Sequence, residues 1–313
     1  MSTNLTDPIF HDKDKARAHF EAIRWPDGKP ICPHCGVIGQ ATLVHGKSHR
    51  SGMYQCNGCL KPFTAMIGTV MESSHLPMTK WALAFHLMAS SKKGYSAHQL
   101  MRTLGLGSYR TAWFMVHRIR EAMRSSDLAP MGGAGSTVEA DETFIGRKGG
   151  SIKRRGHGHK NAVLSLVDRN SKQARSFHVE GTSAADIIPI IKANVAKETA
   201  MMTDEGGHYF TLGDHFASHE SVSHKDDEYV RGDVTTNTVE GFFGIFKRGM
   251  KGVYQHCGEN HLQAYLNEFD FRYSNRVALG VNDTERAHRA IKGAQGKRLT
   301  YQRPRSAQSA RAV

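Results

Sequence analysis

Apolar and polar positions change their period along the chain, and the change falls near residue 137. Residues 69–91 are apolar-rich and predict a helix that begins near Thr79. Ser96-Ala-His-Gln99 has a capping-box pattern opening a short helix to about Leu104, and Gly105-Leu106-Gly107 breaks it. A second helix is expected from about Ser108 to Arg124, with Ala112, Met115, Val116, Ile119 and Met123 at helical spacing. Residues 125–136 are small and polar and read as a linker. Beyond them come strand-like runs: Thr137 to Ile145, Ala162 to Val167 and Ala174 to Val179. Ser183 then caps a helix burying Ile187, Ile188, Ile190 and Ile191. Ala200 to Asp204 is a further short strand, and Asn237 opens a helix carrying Phe242, Phe243, Ile245 and Phe246. This order is compatible with a ribonuclease-H-like mixed sheet.

A chain of 313 residues is longer than one core usually organises, so several modules are expected. With 39% hydrophobic and 23% charged residues, it is not a disordered chain. No apolar run approaches the ~18–20 residues that span a bilayer, and the first residues lack a signal-peptide core. A cytoplasmic location follows as the expectation. Forty-two Lys and Arg against 29 Asp and Glu give +13, which favours a polyanionic partner, nucleic acid above all.

Four of the five cysteines form two CxxC pairs, Cys32-Pro-His-Cys35 and Cys56-Asn-Gly-Cys59. Two such knuckles supply four thiolates to one tetrahedral zinc, a closed structural site with no open position for catalysis. Gly36 and Gly58 are expected to give the knuckles positive φ or close backbone approach. His34 and His45 are available substitutes, but the cysteines already fill the site; Cys257 reads as an inert thiol.

Asp141 sits in the middle of one predicted strand and Asp204 at the end of another. A carboxylate there is costly unless it is paired or holds a metal. If the two strands are neighbours, the acids converge, and two Mg²⁺ between them could clamp a phosphodiester. Glu240 has a plainer reading beside the catalytic one: with Asn237 as N-cap, it completes a capping box. Glu240 and Lys247 are two helical turns apart and share a face, so the lysine could hold a phosphate.

Together these residues resemble the DDE-type transposases of bacterial insertion sequences, in the group with an amino-terminal zinc ribbon. The resemblance is carried by Cys-Pro-His-Cys-Gly, Cys56-Asn-Gly-Cys-Leu-Lys-Pro-Phe and Glu139-Ala-Asp-Glu-Thr-Phe-Ile-Gly. Most specific is Thr236-Asn-Thr-Val-Glu-Gly-Phe-Phe-Gly-Ile-Phe-Lys247-Arg-Gly, continued by His261-Leu-Gln-Ala-Tyr-Leu-Asn-Glu-Phe-Asp-Phe-Arg-Tyr. It implies a multidomain protein, with an amino-terminal zinc ribbon and a helical helix-turn-helix segment ahead of an α/β ribonuclease-H-like catalytic domain. The expected divisions are a helical lead-in (1–30), ribbon (31–65), DNA-binding helices (66–130), catalytic domain (131–280) and basic tail (281–313).

The implied activity is Mg²⁺- or Mn²⁺-dependent cleavage at the element's ends and strand transfer into target DNA. Asp141, Asp204 and Glu240 match the acids, with Asn237 as the rival for the third place, and Lys247 matches the lysine. Two catalytic ions and one structural zinc are expected. The partners implied are double-stranded DNA, as inverted repeats and target, and further copies of the chain in a dimer or larger assembly on the nucleoid. No membrane partner is expected. DNA contacts are expected from Arg110, Arg118 and Arg120 on the second helix, Arg154 and Arg155 in the basic 146–160 connection, and Lys247 with Arg248. The helices also read as a plain spacer with a solvated basic face, and the connection as a disordered loop. Two rival functions remain: a non-catalytic zinc-ribbon DNA-binding regulator of transposase descent, and a structure-selective nuclease that cuts without joining.

Overall fold

The computed structural model describes residues 4–300 apart from 47, 127, 128, 154, 224–227 and 229. Helix α1 (Lys13–Arg24) starts at Asp12, whose carboxylate accepts from the N–H groups of Asp14 at 2.8 Å and Lys15 at 2.9 Å. Strands β1 (Ala41–Leu43), β2 (Tyr54–Cys56) and β3 (Pro62–Phe63) form a small antiparallel sheet. Its core holds Trp25, Phe63, Ala65, Cys32 and Cys56. So few apolar groups rarely support a fold without a staple, and a metal at the cysteines meets that need.

Helices α2 (Met78–Ser90), α3 (Ala97–Thr103) and α4 (Tyr109–Met123) follow. The hydroxyl of Ser96 caps α3 by accepting from Gln99 N–H at 3.2 Å, and Gly105, at φ +57°, lets the chain turn into α4. Trp81, Phe85 and Met88 of α2 pack with Met115, Val116 and Ile119 of α4 in one helical core.

The second half is built on a five-stranded sheet. Its strands are β4 (Thr137–Ile145), β5 (Asn161–Asp168), β6 (Ala174–Val179), β7 (Ala200–Asp204) and β8 (Ser218–Val222), with α5 (Ala184–Asn194) between β6 and β7. The spatial order is β6-β5-β4-β7-β8. The first three strands are antiparallel neighbours; β7 and β8 run parallel to β4. Ser183 and Asp186 close a capping box on α5, as the sequence pattern suggested for the serine. A short hairpin of β9 (Val230–Arg231) and β10 (Val234–Thr235) leads into α6 (Asn237–Gly249), and α7 (Leu262–Ser274) follows. α5 covers one face of the sheet over Val138, Ala140 and Leu164. Phe242, Phe246, Leu266 and Phe269 of α6 and α7 cover the other over Val163 and Val167. Every position of β5 is buried, as a central strand covered on both faces requires.

The expected basic tail is corrected at its start. Asp283–Lys292 forms helix α8, which returns to the amino-terminal helices and buries Ala287, Ala290 and Ile291 in their core. Val70 N–H donates to Ala294 O at 3.2 Å, and Thr69 pairs with Gln295. The contact is close enough to require glycine at 293, where a Cβ would stand 2.4 Å from Ala122 O. Residues 301–313 lie outside the described residues.

Candidate functional site

The four ribbon cysteines bring one sulfur each to a common point, all within 4.8 Å of one another. Cys32 and Cys59 sulfurs are 3.7 Å apart, as are those of Cys35 and Cys56. A Zn–S bond of about 2.3 Å makes a tetrahedron with edges of about 3.8 Å, so the spacing fits zinc. In each knuckle the residue after the second cysteine turns back: Gly36 N–H donates to Cys32 O and Leu60 N–H to Cys56 O, both at 2.9 Å. Both residues have positive φ, +77° at Gly36 and +60° at Leu60. The second knuckle therefore places its left-handed residue at Leu60, not at Gly58. Gly58 is the close-approach position, where a Cβ would touch Val37 at 3.5 Å and Cys56 Sγ at 3.8 Å.

On the large sheet, the parallel β4–β7 pairing ends at Glu139–Met202. Two residues further along each strand, Asp141 in the middle of β4 and Asp204 at the end of β7 stand at the same level, just past the last pair of the parallel ladder. Asp141 Oδ1 accepts from Glu142 N–H at 2.6 Å, and Asp204 Oδ1 from Gly206 N–H at 3.0 Å. Burial pushes the Asp141 carboxyl up to about 8, and the negative charges of Glu142, Asp204 and Glu240 add to the rise. That cluster of like charges is what a divalent cation would relieve.

α6 lies against β4 with Val239, Phe242, Phe243 and Phe246 buried and Glu240 exposed. Thr236, not Asn237, occupies the N-cap position of the helix, without a side-chain bond to its amides; Asn237 is the first helical residue and is exposed. The hydroxyl of Thr236 donates to Glu240 Oε1 at 3.4 Å. The capping box expected between Asn237 and Glu240 is therefore not formed. Lys247, half-buried, has its ammonium 5.9 Å from the Phe243 ring centroid. Burial lowers its pKa, Asp141 and Glu240 counter that, and Lys251 and Lys160 add to it. These three lysines line a cavity of about 460 Å³ with Glu142 and His157.

Several residues that sequence reasoning passed over support this centre. Glu142 accepts from the Tyr209 hydroxyl and pairs with His208 Nε2 at 3.2 Å. Burial pushes its carboxyl to about 7, with Tyr209 opposing the rise and Asp204 adding to it. Glu139, fully buried, accepts from Arg169 Nε at 2.5 Å and from Val239 N–H at 2.8 Å. A signal was present: on a strand of period two, residues 139 and 141 share a face.

The expected DNA-contacting arginines divide. Arg110, Arg155 and Arg248 are exposed, and Arg154 lies outside the described residues. Arg118 and Arg120 are interior, which removes them as contacts for DNA. Arg118 donates to Glu72 O at 3.0 Å, and Arg120 donates to Glu268 at 2.7 Å beneath the ring of Tyr265. The exposed positions of α4 lie in its first turn, at Tyr109, Arg110 and Thr111.

The zinc knuckles and the acid-bearing mixed sheet define a class: a ribbon protein with an acidic centre on an α/β domain. Residues 11–61 match the transposase zinc-ribbon domain, and residues 132–274 match the ISXO2-like transposase domain. The resemblance to insertion-sequence transposases with an amino-terminal zinc ribbon, read from the motifs, thus holds in both halves of the chain. It is 27% identical over 279 residues to the uncharacterized protein in transposable element ISH50 of Halobacterium salinarum, covering 84% of this chain and 91% of that one. A simian T-cell lymphotropic virus intasome structure, in complex with PP2A regulatory subunit B56 gamma, aligns with 55% of this chain and 67% of its own. The alignment has 14% identity and a TM-score of 0.29. No helix among the described residues is long and apolar enough to cross a membrane.

Proposed function

We propose that the protein is a DNA transposase that cleaves insertion-sequence ends in a metal-dependent reaction and transfers the freed strand into target DNA. The observation that carries this reading is the alignment of Asp141 with Asp204 just past the last pair of the parallel β4–β7 ladder, with Glu240 and Lys247 on the helix alongside. The strand order, three antiparallel strands followed by two parallel to the first, supports a ribonuclease-H-like domain.

The residues fit a hard divalent cation. They offer carboxylate oxygens, and burial, with the negative charges of Glu142, Asp204 and Glu240 adding to it, makes an ionised Asp141 costly unless a cation stands beside it. Among the described residues only the cysteines form a group with every donor within 4.8 Å of the others. Carboxylates that would share two cations about 3.5–4 Å apart need not all converge on one point. Mg²⁺ or Mn²⁺, when bound, supplies Lewis acidity for the nucleophile and for the phosphodiester under attack.

The chain's own residues do the rest. Asp141 and Asp204 would hold the cations from neighbouring strands, and Glu240 would complete the set from α6. Lys247 holds a phosphate of the strand, with Lys160 and Lys251 continuing the cationic side of the cavity. Tyr109, Arg110 and Thr111, at the start of α4, meet the element's repeat together with the ribbon. Two ends must be brought together for strand transfer, so a dimer or larger assembly on nucleoid DNA is part of the proposal.

The test is Mg²⁺-dependent nicking and joining of DNA that carries the sequences flanking the coding region. The wild type should cut and join, and Asp141→Asn should bind the ends without cutting. Cutting without joining would favour the nuclease. End binding without any cutting would favour the non-catalytic regulator.

A further inference from the structure

Glu139 is fully buried and joins no metal-binding group among the described residues, yet it touches the helix that bears Glu240. One of its oxygens accepts from Val239 N–H, one of the N-terminal amides that a helix cannot satisfy internally. Its other oxygen holds Arg169 Nε. The same guanidinium donates to Asp233 O and Thr235 O, both at 2.6 Å, in the segment leading into α6. One ion pair, its carboxylate fully buried and its guanidinium half-buried, therefore grips the helix start and its lead-in together. Val239 precedes Glu240 by one residue, and Glu139 precedes Asp141 by two on the same strand face. A single hydrogen bond thus separates the strand of the first acid from the helix of the third.

We propose that Glu139, through Arg169 and Val239, is a positioning residue that sets the separation of Glu240 from Asp141 and thereby the metal affinity of the centre. The proposal rests on reading Asp141, Asp204 and Glu240 as that centre. A carboxylate is suited to this place because it serves a cation and an amide N–H at once, with an oxygen for each. Glutamine keeps the acceptor for Val239 and loses the charge opposite Arg169. Alanine loses both. Arg169→Gln cannot span Glu139, Asp233 and Thr235 together.

The experiment uses the full chain without DNA and without chelator, so that the ribbon keeps its zinc. Mn²⁺ affinity is measured by electron paramagnetic resonance, and Val239 amide exchange and the melting temperature are followed in parallel. Glu139→Ala and Arg169→Gln should weaken Mn²⁺ binding by about tenfold or more, the range seen when partners of metal ligands are removed. Both should also speed Val239 exchange, with zinc content unchanged. Glu139→Gln should keep Val239 protected and recover most of the affinity.

Wild-type Mn²⁺ affinity in folded Glu139→Ala would overturn the proposal. So would equal losses in the glutamine and alanine variants that merely track melting. Should Glu139→Ala fail to fold, Glu139→Gln and Arg169→Gln decide on the same readings. If Asp141→Asn leaves Mn²⁺ binding intact, the metal-centre reading itself fails, and Val239 exchange still reports whether the contact exists.

Discussion

Arg120 and Glu268, 148 residues apart in the chain, meet at 2.7 Å with side-chain exposures of 1% and 0%. They join α4 of the helical region to α7 of the sheet domain. Glu268 also takes Arg272 Nη1 and the Tyr254 hydroxyl, each at 2.5 Å, while Arg120 lies 3.8 Å from the Tyr265 ring centroid. Burial alone would raise the Glu268 carboxyl, but Arg272 and Arg120 outweigh it and hold it below its usual range. Two guanidiniums against one carboxylate leave excess positive charge, and the aromatic rings around it absorb part of that excess.

Breaking this cluster from one side should be severe. Arg120→Ala is expected to cost about 3–5 kcal/mol, because Glu268 loses a partner at a buried site. Replacing the whole cluster, as Arg120→Met and Arg272→Met with Glu268→Leu, should recover part of the loss, because no buried charge is then left without its partner. Urea unfolding of the single and triple variants checks this.

One zinc per chain should co-purify with the freshly reduced protein. Cys32→Ser should abolish it and melt the small core around Trp25 and Phe63 while the sheet domain stays folded. Elemental analysis together with limited proteolysis reads both effects.

Glu240→Gln should stay folded, bind element ends and fail to cut in Mg²⁺. Asn237→Ala should cut and should change stability by no more than about 0.5 kcal/mol, since Asn237 is exposed and Thr236 occupies the N-cap position. Full activity in Glu240→Gln with none in Asn237→Ala would exchange their roles.

DNA binding should weaken steeply with salt. The log–log slope should change by about 0.9 for each phosphate contact removed. Lys247→Gln and Arg110→Gln should each flatten it, whereas Arg118→Gln, altering an interior residue, should not.

Asp270 accepts from the Ser176 N–H at 2.8 Å and its hydroxyl at 2.7 Å, and burial pushes its carboxyl up to about 7. The folded protein thus keeps a proton that the unfolded chain releases near pH 4. Stability should therefore fall as pH rises from about 4 to about 7 through this group. Asp270→Asn should remove that part of the slope, as thermal melts across the range would show.

What could be read in advance was local. Strand β4 and strand β7 were legible because apolar positions surround their acids, and the ribbon because four cysteines recur in CxxC pairs. The match of Glu240 to the third acid came from a family motif and not from period. Arg118 and Arg120 were misread for a physical reason: a basic stripe on a helix looks solvated until its partner is known, and Glu268 is far away in sequence. Helix α8 was missed because it packs with alanines and one isoleucine in an otherwise charged segment. The period of two puts Glu139 on the strand face of Asp141, but only the fold shows that it touches Arg169 and Val239.

The return of α8 also matters for how the molecule is made. His19 of α1 stands 4.9 Å from His288, so the first helix and the last are neighbours. A ribosome must therefore make the whole sheet domain and then α8 before the amino-terminal helical core can close its interior. A chain that stopped short of α8 would leave that core without its final wall, its alanines and leucines open to water and to other chains.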